Sequence, residues 1–177
     1  MNLPETLRKL WADHVIWSRS CLVAVIADLP DVSAARERLL KNQDEMGEAL
    51  GTVYGEQVAH DLAVLLREHI MLATKLVAAA KNNDVALFQE IHKQWYTNAD
   101  ETALFLHKVN PNWSLEEMRK LMYDHLELTN QDVQMRLQKD WAGDVEAFDK
   151  VFDQALHIAD CWSAGIEQQQ SNDNPKE

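Results

Sequence analysis

A chain of 177 residues, 46% hydrophobic and 26% charged, is long enough for one domain with a substantial core and lies in the globular range. Its 29 acidic against 17 basic residues give a formal charge of -12. No lysine–arginine cluster gathers on any predicted face, which argues against nucleic acid and against an anionic membrane surface as partners. Five glycines and four prolines leave few tight turns, so long helices with short connections are expected rather than a many-stranded sandwich.

The first helix is expected from about Pro4 to Asp28, capped by Asn2, with Pro4 in its first turn. Its apolar stripe runs Leu7, Leu10, Trp11, His14, Trp17, Cys21, Val25, and from Cys21 to Ala27 it is apolar all round, as a central helix is. That run is too short to span a bilayer, and the N-terminal residues lack a signal-peptide core. Cys21 and Cys161 have no CxxC spacing and read as buried small hydrophobes. A cytoplasmic protein is the expectation.

A second, more polar helix is expected over Val32 to Gly51, and a third over Glu56 to Lys81 with a three-four repeat of Leu62, Leu65, Leu66, His69, Leu72 and Leu76. Asn82-Asn83-Asp84 breaks and recaps the chain, and the fourth helix runs from about Val85 to Lys108. Asn110-Pro111-Asn112-Trp113 then makes a turn. Ser114 and Glu117 open the fifth helix with a capping box, and Trp113 and Met118 form its hydrophobic staple. Thr129-Asn130-Gln131-Asp132 reads as a second cap, which breaks the fifth helix before it restarts to about Lys139. The sixth helix begins at about Asp144 and runs to near Glu167, and Gln168 to Glu177 reads as a polar, disordered tail on a single domain of residues 1–167. No segment alternates convincingly, so the expected architecture is an all-α, up-and-down bundle of about six helices.

Two stretches echo one another. Asn42-Gln43-Asp44-Glu45 resembles Asn98-Ala99-Asp100-Glu101, and the segment around His69 resembles that around His125, both at an offset of 56 residues. This points to a duplicated helical hairpin carrying one acidic position and one histidine per copy. His14, His69 and His125 each sit in the middle of an apolar stripe, where an unpartnered imidazole costs about 1–3 kcal/mol. Asp100 and His125 fall at nearly the same height in their hairpin, and Asp44 and His69 are similarly related, counting ~1.5 Å per residue. Asp149 borders the stripe of the last helix.

The functional reading is a transition-metal centre (iron, manganese or zinc) in the bundle core. Its candidate ligands are His14, His69, His125 and Asp100, with Asp44 and Asp149 as further candidates. The other reading is a non-enzymatic bundle that binds a protein partner or a small organic ligand, its histidines paired internally. HxxxH, HxxxE and ExxH spacings, H-E-x-x-H, GxGxxG, P-loop and GxSxG are all absent. Asp153 and His157, at i and i+4, give a pattern that a solvated face also gives. The six tryptophans read as core filler and caps. No reaction, substrate or oligomeric state is legible.

Trp11-Ala12-Asp13-His14-Val15-Ile16-Trp17 together with Asn110-Pro111-Asn112-Trp113 resembles a bacterial all-helical family of about this length. That resemblance implies the fold and no particular activity. Histidines and carboxylates inside one bundle are also similar in style to the hemerythrin-like and DinB-like metal-binding bundles. This implies a metal centre, but none of their ligand spacings is present to be carried over.

Overall fold

Six helices account for nearly all of residues 2–173, the part of the chain described by the computed structural model. They are α1 (Leu3–Ala27), α2 (Val32–Tyr54), α3 (Glu56–Lys81), α4 (Val85–Val109), α5 (Leu115–Leu137) and α6 (Trp141–Asp173). No strand occurs among the described residues. Each helix packs on the next and α6 returns to α1, closing a ring, while α1 also touches α3 and α5 across the middle. By length and composition α1 could cross a membrane. In the bundle it is the helix packed by four others.

The caps follow the sequence closely. Asn2 and Glu5 form a reciprocal capping box, Asp84 accepts from the Leu87 amide at 3.1 Å, and Ser114 accepts from the Glu117 amide at 3.1 Å. Gly47 is required by a close approach. A Cβ there would lie 2.4 Å from the Ala59 carbonyl oxygen, so glycine lets α2 lie directly on α3. The Asn110 turn is locked into the core by its side chain, which donates to the Gly165 carbonyl at 2.9 Å and to the Tyr54 hydroxyl at 3.0 Å.

Two expectations differ from the structure. α5 is unbroken across Thr129 to Asp132. Asp132 is engaged by Arg19 at 2.7 Å and caps nothing. α6 starts earlier than expected and runs on to Asp173, so residues 168–173 are helical rather than a disordered tail. Tyr54 donates to Gln169 in that extension at 2.9 Å. The last four residues of the expected tail lie outside the described residues.

The core is layered along the axis of α1, α3 and α5. Leu7, Leu62 and Met118 occupy one level, all buried, each seven residues before a histidine. Three residues before the histidines, Trp11 and Leu66 belong to the same core cluster as that level, while Met122 is buried in a second one with Trp95 and Leu126. Burying such side chains contributes roughly 1.5–3 kcal/mol each, so this half of the bundle is its firm end. His14, His69 and His125 form the level above.

Candidate metal centre

The three inner helices bring three imidazoles into one dry layer. His14 on α1, His69 on α3 and His125 on α5 are each no more than 4% exposed. The ring centroids of His14 and His125 are 5.4 Å apart, and those of His69 and His125 6.4 Å. The Nε2 atoms of His14 and His125 face each other at 3.4 Å. That is the separation of a long hydrogen bond, and it is also close to the about 3.3–3.4 Å between two imidazole nitrogens bound to one tetrahedral ion at 2.0–2.1 Å.

An outer helix supplies each ring with one amide. Gln43 on α2 meets Nδ1 of His14 at 3.3 Å, Asn98 on α4 meets Nδ1 of His69 at 3.2 Å, and Gln154 on α6 meets Nδ1 of His125 at 2.9 Å. In every hairpin the amide follows its histidine by 29 residues. Backbone carbonyls orient the amides in turn. Asn98 Nδ2 donates to Leu65 O at 3.0 Å and Gln154 Nε2 to Leu121 O at 2.9 Å. That leaves Asn98 Oδ1 and Gln154 Oε1 to accept from Nδ1–H, and puts the lone pairs of His69 and His125 on Nε2. In the first hairpin Asn42 donates to Leu10 O at 3.1 Å, while Gln43 Nε2 donates to Leu39 O at 2.8 Å and to Asn42 Oδ1 at 3.0 Å and also faces the ring.

The first hairpin is also the exception in polarity. Gln43 presents Nε2 to His14, which places the His14 proton on Nε2, directed at His125. Gln43 Oε1 is buried without a partner. Trp95 Nε1 donates to His69 Nε2 at 3.2 Å and turns that ring toward α4. Among the described residues no group of three or more His, Cys, Asp or Glu side chains stands in an arrangement that could hold a metal ion without local change.

Electrostatics keep the layer neutral. Burial lowers all three histidine pKa values, that of His14 well below its ordinary value and that of His69 to about 3, and mutual repulsion among the rings adds to this for His14 and His69. Neutral imidazole is the state that coordinates a metal.

The carboxylates expected to join the histidines are elsewhere. Asp44 pairs with Arg67 at 2.8 Å and Asp100 with Arg119 at 2.7 Å and Tyr123 at 3.0 Å, all toward the bundle surface. Asp149 is exposed on α6, as are Asp153 and His157. The reason is helical phase. Gln43 and Asn98 hold the inward positions, and each residue further along turns the chain by about 100°. The residues that sequence reasoning missed are therefore Gln43, Asn98, Gln154 and Trp95. The signal for the three amides was their constant distance of 29 residues from each histidine, and Trp95 carried none.

Above the histidines lies a cavity of about 60 Å³, reached by all three rings and bounded by Arg19, Asp132 and otherwise mainly apolar side chains. Arg19 binds Asp132 and Asp144, each at 2.7 Å, and Arg136 binds Asp144 at 2.9 Å. Burial raises the pKa of Asp132 against the pull of Arg19. Burial also opposes ionisation of Asp144, but Arg19 and Arg136 together outweigh it and lower its pKa.

No family model, curated protein or solved structure matches this chain.

Proposed function

We propose that the protein is a transition-metal-binding helical bundle whose ligands are Nε2 of His14, His69 and His125. The observation that carries this reading is the repeated pairing of a buried, neutral imidazole with an amide at its far nitrogen. Metal-bound histidines are held by a hydrogen bond at the other ring nitrogen, which fixes tautomer and orientation. Internal pairing alone would not call for the same 29-residue spacing in all three hairpins.

Three neutral imidazoles with no carboxylate suit zinc or ferrous iron better than manganese. Binding requires two local changes. His14 moves its proton to Nδ1 while Gln43 turns its orphaned oxygen to accept it, giving up its bonds to Leu39 O and Asn42 Oδ1, and His69 leaves Trp95. Each of the helix pairs α1–α2, α3–α4 and α5–α6 would then deliver one ligand and one orienting amide.

A second reading has an observation of its own. Gln43, His14, His125, Gln154 and the Leu121 carbonyl form a continuous hydrogen-bonded chain that satisfies two of the imidazoles without an ion. In that case the histidines fix helix register in a bundle that binds a partner or small organic ligand. Elemental analysis of tag-free protein separates the two. Near-stoichiometric metal that disappears in a His14→Ala, His125→Ala variant supports the first reading, and unchanged metal content in that variant removes the proposed ligands.

A further inference from the structure

The two sides of the histidine layer are built differently. Below it, Trp11 and Leu66 are buried in the main core cluster. Above it, the residue one turn after each histidine is small: Ser18, Ala73 and Thr129. All three border the cavity. Two turns above the histidines, Leu22, Val77 and Val133 meet in a buried apolar cluster, of which Leu22 and Val77 also border the cavity. The space is thus a short chamber, with the imidazoles as its floor and that cluster toward its far end.

Thr129 marks the chamber as a place for a ligand. Helical threonines in this protein otherwise return their hydroxyl to the carbonyl one turn back, as Thr74 does to Ile70 and Thr102 to Asn98, each at 2.9 Å. Thr129 Oγ1 is buried and makes no such bond. A buried hydroxyl without a partner, on the wall of the cavity that the three imidazoles also line, is placed to bond a molecule held there.

We infer that the chamber admits a small uncharged molecule of a few heavy atoms, which takes the metal's open position and accepts or donates a hydrogen bond at Thr129. This inference rests on the metal reading above. Size follows from the roughly 60 Å³ of space, several times what one water needs. Charge follows from the wall. The one guanidinium there, Arg19, is already paired with two carboxylates, so an anion would meet Asp132 without a free cation to offset it.

The test uses ferrous iron and nitric oxide, a neutral diatomic metal ligand, on the full chain under anaerobic conditions. Wild-type protein loaded with iron is expected to give a ferrous–nitrosyl spectrum and to bind nitric oxide more tightly than azide. Ala73→Leu fills the chamber and is expected to weaken nitric oxide binding at least roughly tenfold at unchanged iron content. Thr129→Val keeps the shape, so it guards against misfolding, and removal of the hydroxyl should weaken binding roughly three- to tenfold.

Iron without a nitrosyl adduct, an adduct as strong in both variants as in wild type, or preference for azide would each overturn the inference and leave the metal reading standing. Failure to bind iron, zinc or any other transition metal would overturn both.

Discussion

Replacing Gln154 by leucine tests whether the amides hold the imidazoles. Gln154 Oε1 receives the His125 Nδ1 proton at 2.9 Å, and its Nε2 donates to the Leu121 carbonyl at 2.9 Å. Leucine has a similar bulk and neither function. His125 cannot escape by moving its proton to Nε2, because the His14 Nε2–H already points there. A buried donor is left unmet, at a cost of about 1–3 kcal/mol. For a chain of this length each kcal/mol lowers the melting temperature by about 2–4 °C. The expected loss is therefore roughly 2–12 °C, measured by thermal and urea unfolding of metal-free protein at pH 7.5. Gln131→Leu is the control. Gln131 is an exposed amide that donates to Glu127 at 3.1 Å, and its loss should stay within about 0.5 kcal/mol. If Gln154→Leu behaves like that control, the amide is not what fixes the ring.

Three further outcomes follow from the same structure. Lowering the pH should destabilise metal-free protein. The histidine pKa values are depressed in the folded chain, so their contribution is full above the unfolded value of about 6.5 and is lost as pH falls toward the folded values, which for His69 is about 3. Each imidazole that stays neutral to pH 5 costs about 2 kcal/mol there. Asp132, with its raised pKa, works in the opposite direction. Urea unfolding across pH 7.5 to 5 measures the slope, His69→Phe should flatten it, and a level profile contradicts neutral burial. Gly165→Ala should cost about 1–3 kcal/mol by overpacking, since a Cβ there would lie 2.1 Å from the buried Trp113 indole nitrogen. Denaturation that leaves this variant as stable as wild type would mean the Trp113 contact gives way freely. Arg19→Leu should cost about 3–5 kcal/mol by leaving Asp132 and Asp144 short of their shared cation. A melting temperature unchanged by Arg19→Leu would show that those carboxylates find other partners.

The fold was legible because its signals are local. Asn2, Asp84 and Ser114 cap where the sequence places caps, and the three-four stripes of α1 and α3 face inward as read. Thr129 and Asp132 misled because a T-x-x-D sequence caps only where the helix has reason to end, and here packing of Val133 into the core and the Arg19 ion pair carry α5 through. The site was half legible. Stripe position alone located His14, His69 and His125. Their partners were missed because attention followed charge, and Asp44 and Asp100 stand one and two residues past the amides that face inward. A lone glutamine or asparagine carries no sequence signal until its distance from each histidine is compared across all three hairpins. Trp95 is a longer-range matter still, since nothing in a tryptophan's own helix says that its indole meets a histidine on the neighbouring one.

Metal binding by tag-free protein is the most direct measurement. After dialysis against zinc or ferrous iron and removal of free ion, elemental analysis should find about one ion per chain. At a free ion concentration a hundred times the dissociation constant, unfolding should be opposed by about 2.7 kcal/mol, a rise of roughly 5–11 °C in melting temperature. His14→Ala, His125→Ala protein should show neither effect. Equal metal content and an equal melting-temperature rise in wild type and variant, or no bound ion in the wild type at any concentration, would contradict a three-imidazole centre.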